Sequence, residues 1–348
     1  MRGKAGAGNI RYYSPIAYFS NPQKRTTSRQ QTDRHERTDM TEARQRRIIG
    51  LLGQLAPHEG YTLSALPGLK FMRANSDIAR TPVMYEPCIV IVCQGRKRGF
   101  LGDQSYVYDA HHYLVLSVPL PFESETQATP AEPMLAVAIS IDLNMAAELV
   151  LALEQPRRID AAPTGILSTP LDDQMGDALL RLLEALQSPS DAQILGPGIV
   201  RELIYRVLTG PQGGSIRAAL TQQSQFGKIG KALRRIHASY DSPIDVPTLA
   251  GEANMSVAAF HAHFKAVTQT TPMQYLKTTR LHKARLLMVQ DGLNAATASH
   301  RVGYESSSQF SREFKRFFGR TPADEAAQMK NALMQVPAQA PSASGTLQ

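Results

Sequence analysis

Hydrophobic positions change period along this chain, and the changes divide it. Residues 1–39 are polar, basic and poor in aliphatics, with no helical or strand period. They read as a disordered stretch or as an extension ahead of a start at Met40; the competing reading is a basic arm that grips DNA. From Thr41 to Leu55, the spacing of Ile48, Ile49, Leu51, Leu52 and Leu55 predicts a helix. Between 60 and 141 the pattern shortens to that of strands. Val83 to Val92 is an apolar run rich in β-branched residues. Gln94 to Gly99 reads as a turn, and Phe100 to Tyr108 as a hairpin about Gly102-Asp103. His112 to Val118 and Met134 to Ile141 supply two more strands. Short strands separated by Gly, Asp and Pro turns predict a small barrel or sandwich.

A helical period returns over 144–220. Asp172 to Leu186 carries Leu179, Leu180, Leu182, Leu183 and Leu186, and Pro197 to Leu208 carries Ile199, Leu203, Ile204, Val207 and Leu208. Pro211 to Ser215 breaks the pattern. After a helix over Ile229–Tyr240, one pattern is used twice. In the first copy Val246 to Ala253 is a support helix, Asn254-Met255 a turn, and Ser256 the cap of a second helix whose inward stripe is Phe260, Phe264 and Val267. Thr271-Pro272 opens a linking helix, Met273 to Gln290, whose basic positions are Lys277, Arg280, Lys283 and Arg285. In the second copy Ala295 to Arg301 is the support helix and Val302-Gly303-Tyr304 the turn, with Gly303 supplying a positive φ. A helix from Ser306 to Phe318 follows, with Phe310, Phe314 and Phe317 inward. Each copy is a helix-turn-helix pattern, which suits insertion into a major groove.

The outward faces are the candidate DNA-binding residues. The first helix offers Ser256, Val257, Ala258, His261, Ala262 and Lys265; the second offers Ser307, Ser308, Gln309 and Arg312, with Lys315 and Arg316 toward phosphates. Gln can bond adenine and Arg can bond guanine with two hydrogen bonds each, so the second unit is the better-equipped reader.

Charge sharpens this division. Residues 1–47 hold 11 Lys/Arg and 4 Asp/Glu (+7), residues 48–226 hold 12 and 18 (−6), and residues 227–348 hold 15 and 8 (+7), matching the net +8. An acidic middle followed by a basic C-terminal part fits a sensor joined to a DNA binder. Cys88 and Cys93, five apart on one strand segment, fall on opposite faces and cannot pair. Buried thiols are the expectation, a reactive thiol the alternative. His111 and His112 are adjacent and cannot both face one ion from a strand, so no metal and no cofactor are expected. No apolar run reaches the ~20 residues of a membrane span, and the basic N-terminus lacks a signal-peptide core. A soluble, cytoplasmic protein without enzymatic activity is expected.

The run Arg280-Leu281-His282-Lys283-Ala284-Arg285-Leu286-Leu287, with Val302-Gly303-Tyr304-Glu305-Ser306 and Phe310 through Pro322, resembles the signature of AraC/XylS-type transcription regulators over about 228–326. The resemblance implies two helix-turn-helix units about a linking helix, entering adjacent major-groove segments. By it the base readers are Ala258, His261 and Ala262 in the first unit and Ser308, Gln309 and Arg312 in the second. Ala262 departs from a position often polar or basic, and Glu325-Ala326 replaces a Tyr-Arg pair that often ends such a domain, a change that concerns packing. Leu66-Pro67-Gly68-Leu69, Tyr85-Glu86-Pro87, Gln94-Gly95-Arg96-Lys97, Gly102-Asp103 and Leu116 through Pro121 resemble the N-terminal domain of one AraC subgroup, over about 60–215. That implies a cupin-like barrel followed by helices, acting as sensor and dimeriser.

The expected fold is therefore α+β: an N-terminal cupin-like β-barrel with a helical segment, then an all-α domain with two helix-turn-helix units. The expected boundaries are 1–39 extension, 40–220 sensor, 226–326 DNA-binding domain, and 331–348 disordered tail. The expected function is sequence-specific, ligand-responsive regulation of transcription, with the units at about 246–267 and 295–318. Expected partners are double-stranded DNA and a small-molecule effector, with RNA polymerase and a second copy of the chain as further candidates. A cupin-type metalloenzyme fused to a DNA-binding module is the alternative, and a non-specific architectural binder would need basic arms or wedges instead of two patterned helices.

Overall fold

The computed structural model describes residues 41–153, 163–211, 213–221 and 224–333. The expectations for 1–39 and for the tail from Val336 lie outside these residues. Helix α1 spans 41–55 and buries Ile48, Leu51 and Leu52. Strands β1 (Gly60–Leu63), β2 (Leu69–Ala74), β3 (Ile78–Tyr85), β4 (Cys88–Gln94), β5 (Arg96–Leu101), β6 (Gln104–Asp109), β7 (His112–Leu116), β8 (Leu120–Gln127) and β9 (Met134–Ser140) follow. Helix α2 (Leu143–Ala152), strand β10 (Ile166–Pro170) and helices α3 (Asp173–Ala185), α4 (Pro189–Ile194), α5 (Gly196–Thr209) and α6 (Gly213–Leu220) complete the N-terminal half.

The strands form a six-stranded sheet, β1-β2-β9-β4-β7-β10, and a four-stranded sheet, β3-β8-β5-β6. No strand pair joins the two among the described residues, so of the expected barrel or sandwich the strands form an open two-sheet sandwich that does not close into a barrel. Alternation along β4 shows how it is packed. Cys88, Val90 and Val92 face inward with Leu101, Tyr108 and Phe122 of the other sheet. Ile89, Ile91 and Cys93 face outward against α1, α3 and α5, through Leu52, Leu179, Leu182, Leu203 and Val207. A strand buried on both faces reads as a continuous apolar run, and this one does.

Three expectations are corrected. The run Val83–Val92 is two strands in different sheets, separated at Glu86-Pro87, because proline cannot donate to a ladder. The stretch Gln94–Gly99 is not a turn beyond Gly95 (φ +75°); Arg96–Leu101 is a strand whose inward residues are Lys97, Gly99 and Leu101. Its charged residues mask the alternation. The helical reading of 144–220 misses β10, which pairs antiparallel with β7 from Ile166↔Leu116 to Pro170↔His112. The hairpin about Gly102-Asp103 stands as expected, with Leu101 opposite Gln104.

The C-terminal half is helical: α7 (Gln225–Ala238), α8 (Val246–Glu252), α9 (Val257–Thr268), α10 (Pro272–Gln290), α11 (Ala295–Arg301), α12 (Ser307–Phe318) and α13 (Pro322–Leu333). Residues 331–333, expected in the tail, belong to α13; the rest of that stretch lies outside the described residues. The inner core of the sandwich runs on without a break into this half. Val118, Leu120 and Phe122 share one apolar cluster with Ile229, Leu233, Phe260, Phe264 and Tyr275. Gly165 marks a close approach between the two: a Cβ there would lie 3.3 Å from the Val267 carbonyl of α9, besides 2.6 Å from Leu120 on its own side.

Candidate nucleic-acid interface

Each recognition helix is started by its own cap. The Ser256 Oγ accepts the Ala259 N–H at 3.3 Å, and the Ser306 Oγ accepts the Gln309 N–H at 3.3 Å. Such caps satisfy backbone donors that the first turn leaves orphaned. The support helices are capped alike, by Asp245 onto Thr248 N and by Asn294 onto Thr297 N. The two turns differ. Asn254 takes φ +50° in the first, and Gly303 takes φ +84° in the second. At Gly303 space matters as much as φ, because a Cβ would come within 2.5 Å of the Asp241 carbonyl.

Phe260 and Phe264 of α9, and Phe310 and Phe314 of α12, are fully buried, while Val267 and Phe317 are partly so. Burying a side chain of this size is worth ~1.5–3 kcal/mol, so these stripes fix which face each helix turns outward. Ser256, Val257, Ala258, His261, Ala262 and Lys265 are exposed on α9. Ser308, Gln309, Arg312, Lys315 and Arg316 are exposed on α12, and Ser307 is half-buried. Every sequence-expected residue but Ser307 thus lies on an open face. Lys265, Arg312, Lys315 and Arg316 form no ion pair among the described residues, which leaves them available to phosphates and bases. Gln309 is less free. Its Nε2 donates to Glu313 Oε1 at 3.2 Å, and Glu313 also accepts from Tyr304 Oη at 2.9 Å and pairs with Lys277 at 3.0 Å. Burial alone would raise the Glu313 pKa, but these partners outweigh it and hold the carboxyl below its usual range.

The linking helix α10 holds the two units together. Its basic residues, read from sequence as one set, divide by role. Arg280 donates to the carbonyls of Tyr240 and Ser242 at 2.7 and 3.1 Å. Arg285 is largely buried and pairs with buried Glu325 at 3.4 Å, which also meets Arg320 at 3.5 Å. Glu325 is therefore an internal anchor for α13, as its packing role in the sequence suggested. His282, fully buried, is pushed well below the ordinary imidazole pKa by burial and then by Arg285.

One polar relay was missed by sequence reasoning. Glu86, in the β3–β4 turn, contacts His237 Nδ1 of α7 at 3.1 Å. His237 Nε2 meets Tyr275 Oη of α10 at 2.8 Å, and that hydroxyl donates to the Pro119 carbonyl just before β8 at 2.9 Å. The relay ties the β3–β4 turn and the residue before β8 to α7 and α10. It joins residues far apart in sequence, so no spacing could have revealed it.

Within the sandwich, Cys88 and Cys93 are free and buried on opposite faces of β4, as expected, and burial pushes both thiols up to about 12. That disfavours thiolate chemistry at neutral pH. His112 Nδ1 lies 3.1 Å from Asp109. Among the described residues, no group of three or more His, Cys, Asp or Glu is placed to hold a metal ion, and no helix is long and apolar enough to cross a membrane.

Comparison with known proteins agrees with this architecture. Residues 65–215 match the model of the AraC-type transcriptional regulator N-terminus, and residues 249–328 match that of a helix-turn-helix domain. The chain is 36% identical over 95 residues to the HTH-type transcriptional regulator AlkR of Acinetobacter baylyi, covering 27% of this chain and 31% of AlkR. It is 26% identical over 156 residues to the HTH-type transcriptional regulator ArgR of Pseudomonas aeruginosa, covering 44% of this chain and 47% of ArgR. The matched stretches thus span less than half of these relatives. Apo ToxT from Vibrio cholerae superposes with a TM-score of 0.53 at 12% identity, over 78% of this chain and 99% of ToxT. ToxT bound to an unsaturated fatty acid does so with 0.54, at 12% identity, over 74% and 94%. Two domain matches in this order, on a sandwich and paired helix-turn-helix units that share one core, identify residues 65–215 as an AraC-type transcriptional regulator N-terminal domain and residues 249–328 as a helix-turn-helix domain.

Proposed function

We propose that this protein is an effector-responsive regulator of transcription that binds double-stranded DNA by sequence, through α9 and α12 in adjacent segments of one major groove. The observation that carries the reading is the pair of capped helices with open outward faces and buried phenylalanine stripes. The base readers are Arg312, Gln309 and Ser308 in the second unit and His261, Ala258 and Ala262 in the first. Lys265, Lys315 and Arg316 meet phosphates, with Ser256 and Ser307 at the helix starts. The two sites lie about one helical turn apart, roughly 34 Å.

The sensor domain takes a small organic effector, in keeping with the fatty acid held by ToxT, a protein of the same fold. The continuous core and the Glu86–His237–Tyr275–Pro119 relay give such a signal a physical route to α9 and α10. RNA polymerase and a second copy of the chain are the further partners this reading calls for, and its place of action is the cytoplasm. Binding-site selection with the full chain tests the proposal. Enrichment of two short motifs one turn apart is expected; equal retention of random DNA would refute it.

A further inference from the structure

The inner face of the four-stranded sheet holds one cation that the rest of the fold does not explain. Lys97 is 7% exposed. Its Nζ donates to Thr126 Oγ1 at 2.8 Å, and no carboxylate lies within ion-pair distance among the described residues. A buried ammonium is costly without an anion beside it. The neighbouring charges face away. Arg96 and Arg98, on the opposite face of β5, pair with Asp109 and Glu125.

Around Lys97 the interior supplies hydroxyls and then apolar surface. Across the ladders Lys97 stands opposite Thr126 on one side and Tyr108 on the other. The Tyr108 hydroxyl meets Ser124 Oγ at 3.2 Å. The Tyr85 hydroxyl is also buried and makes no hydrogen bond of ordinary geometry among the described residues. The facing sheet presents short side chains, including Val90, Val92, Ala136 and Ala138. One rung beyond Lys97, Arg96 stands opposite Asp109 and Gln127, and these three residues border an open cleft of about 460 Å³ with Gly95 and His111. Successive rungs are ~3.3 Å apart. Lys97 therefore lies one rung inward of the residues that line this cleft, on the apolar face of the sheet.

We propose that Lys97 and Thr126 form the anion-recognition point of the sensor, taking the carboxylate of a small apolar monocarboxylic acid that enters through this cleft. A carboxylate gives one oxygen to the ammonium and the other to a hydroxyl. The chain of the acid lies inward, between Phe122 and the short side chains of the facing sheet. A single cation in an acidic domain favours a monoanion over a phosphate. This inference rests on the reading of the N-terminal half as an effector domain.

The test is calorimetric titration of the full-length protein with hexanoate, octanoate and the matching alcohols, with thermal unfolding in parallel. Octanoate should bind at least about tenfold more tightly than octanol and should raise Tm. Lys97→Met should lose at least about tenfold in octanoate affinity while its Tm without ligand stays equal or rises. Thr126→Val should lose affinity in the same direction, and Arg98→Met, on the outer face and away from the cleft, should bind as the unaltered protein does. The proposal falls if neither acid binds, if octanol matches octanoate, or if Lys97→Met binds octanoate unchanged. DNA binding measured on the same samples separates the two readings. Selective DNA binding without any response to acids overturns the Lys97 site alone, whereas acid binding without selective DNA binding overturns the regulator reading and leaves the site standing.

Discussion

Replacing Tyr275 with Phe isolates the relay between sensor and DNA-binding helices. Tyr275 is 0% exposed, and its ring packs edge-on against Phe264 with centroids 5.5 Å apart. Phenylalanine keeps that contact and removes only the hydroxyl. Two groups then lose their partner. The Pro119 carbonyl accepted from Tyr275 at 2.9 Å, and His237 Nε2 met the same oxygen at 2.8 Å. Because the tyrosine proton goes to the carbonyl, the imidazole Nε2–H donates to Oη. A buried acceptor left unpaired costs ~1–3 kcal/mol, and the lost bond from a largely buried ring adds about 1 kcal/mol. Tyr275→Phe should therefore destabilise by about 2–4 kcal/mol. Urea unfolding followed by near- and far-ultraviolet circular dichroism reads this as a lower midpoint at unchanged m. Glu86→Gln should cost under about 1 kcal/mol, because the Glu86 side chain is 56% exposed and its pair with His237 is screened by solvent. In the double variant the two effects should not add, since both act through His237. A Tyr275→Phe protein within about 0.5 kcal/mol of the parent would show that the relay carries no energy.

Arg312→Ala should weaken operator binding by about 1–3 kcal/mol and relax one position of the site, with His261→Ala costing less, as read by gel shift on selected sequences. Lys315→Ala should weaken all sequences alike and lower the salt dependence by about one phosphate contact. Gly303→Ala should lower stability by at least about 1 kcal/mol, measured by thermal unfolding, because the new Cβ meets the Asp241 carbonyl at 2.5 Å and the residue keeps φ +84°. Burial pulls the Lys97 ammonium down to about 8 from 10.5, so the folded state binds this proton less readily than the unfolded chain. The resulting penalty is full below about pH 8 and is relieved as pH rises toward 10.5. Lys97→Met should thus be the more stable protein by about 3 kcal/mol near neutral pH, with the gap narrowing above pH 8 in paired denaturation curves. A constant gap would refute the buried-cation argument.

The sequence by itself determined the helix-turn-helix units, because their information is local. Caps at Ser256 and Ser306, the glycine at 303 and the phenylalanines spaced along one helix face each act within a few residues, and all appear where the pattern put them. It also separated Cys88 from Cys93, since strand alternation is a local rule. Tertiary structure decided what depends on pairing between distant strands. The break at Glu86-Pro87, the strand Arg96–Leu101 and the added strand Ile166–Pro170 became visible only once partners from elsewhere in the chain defined inside and outside. The same holds for chemistry. Lys97 reads as one basic residue in the run Arg96-Lys97-Arg98, yet pleating turns it inward while its neighbours turn out to Asp109 and Glu125. Glu86, His237, Tyr275 and Pro119 are unremarkable singly, and only the packing of sensor against helices makes them a relay. Local spacing sets which face a residue takes, but burial and partners come from contacts across the chain, which spacing does not encode.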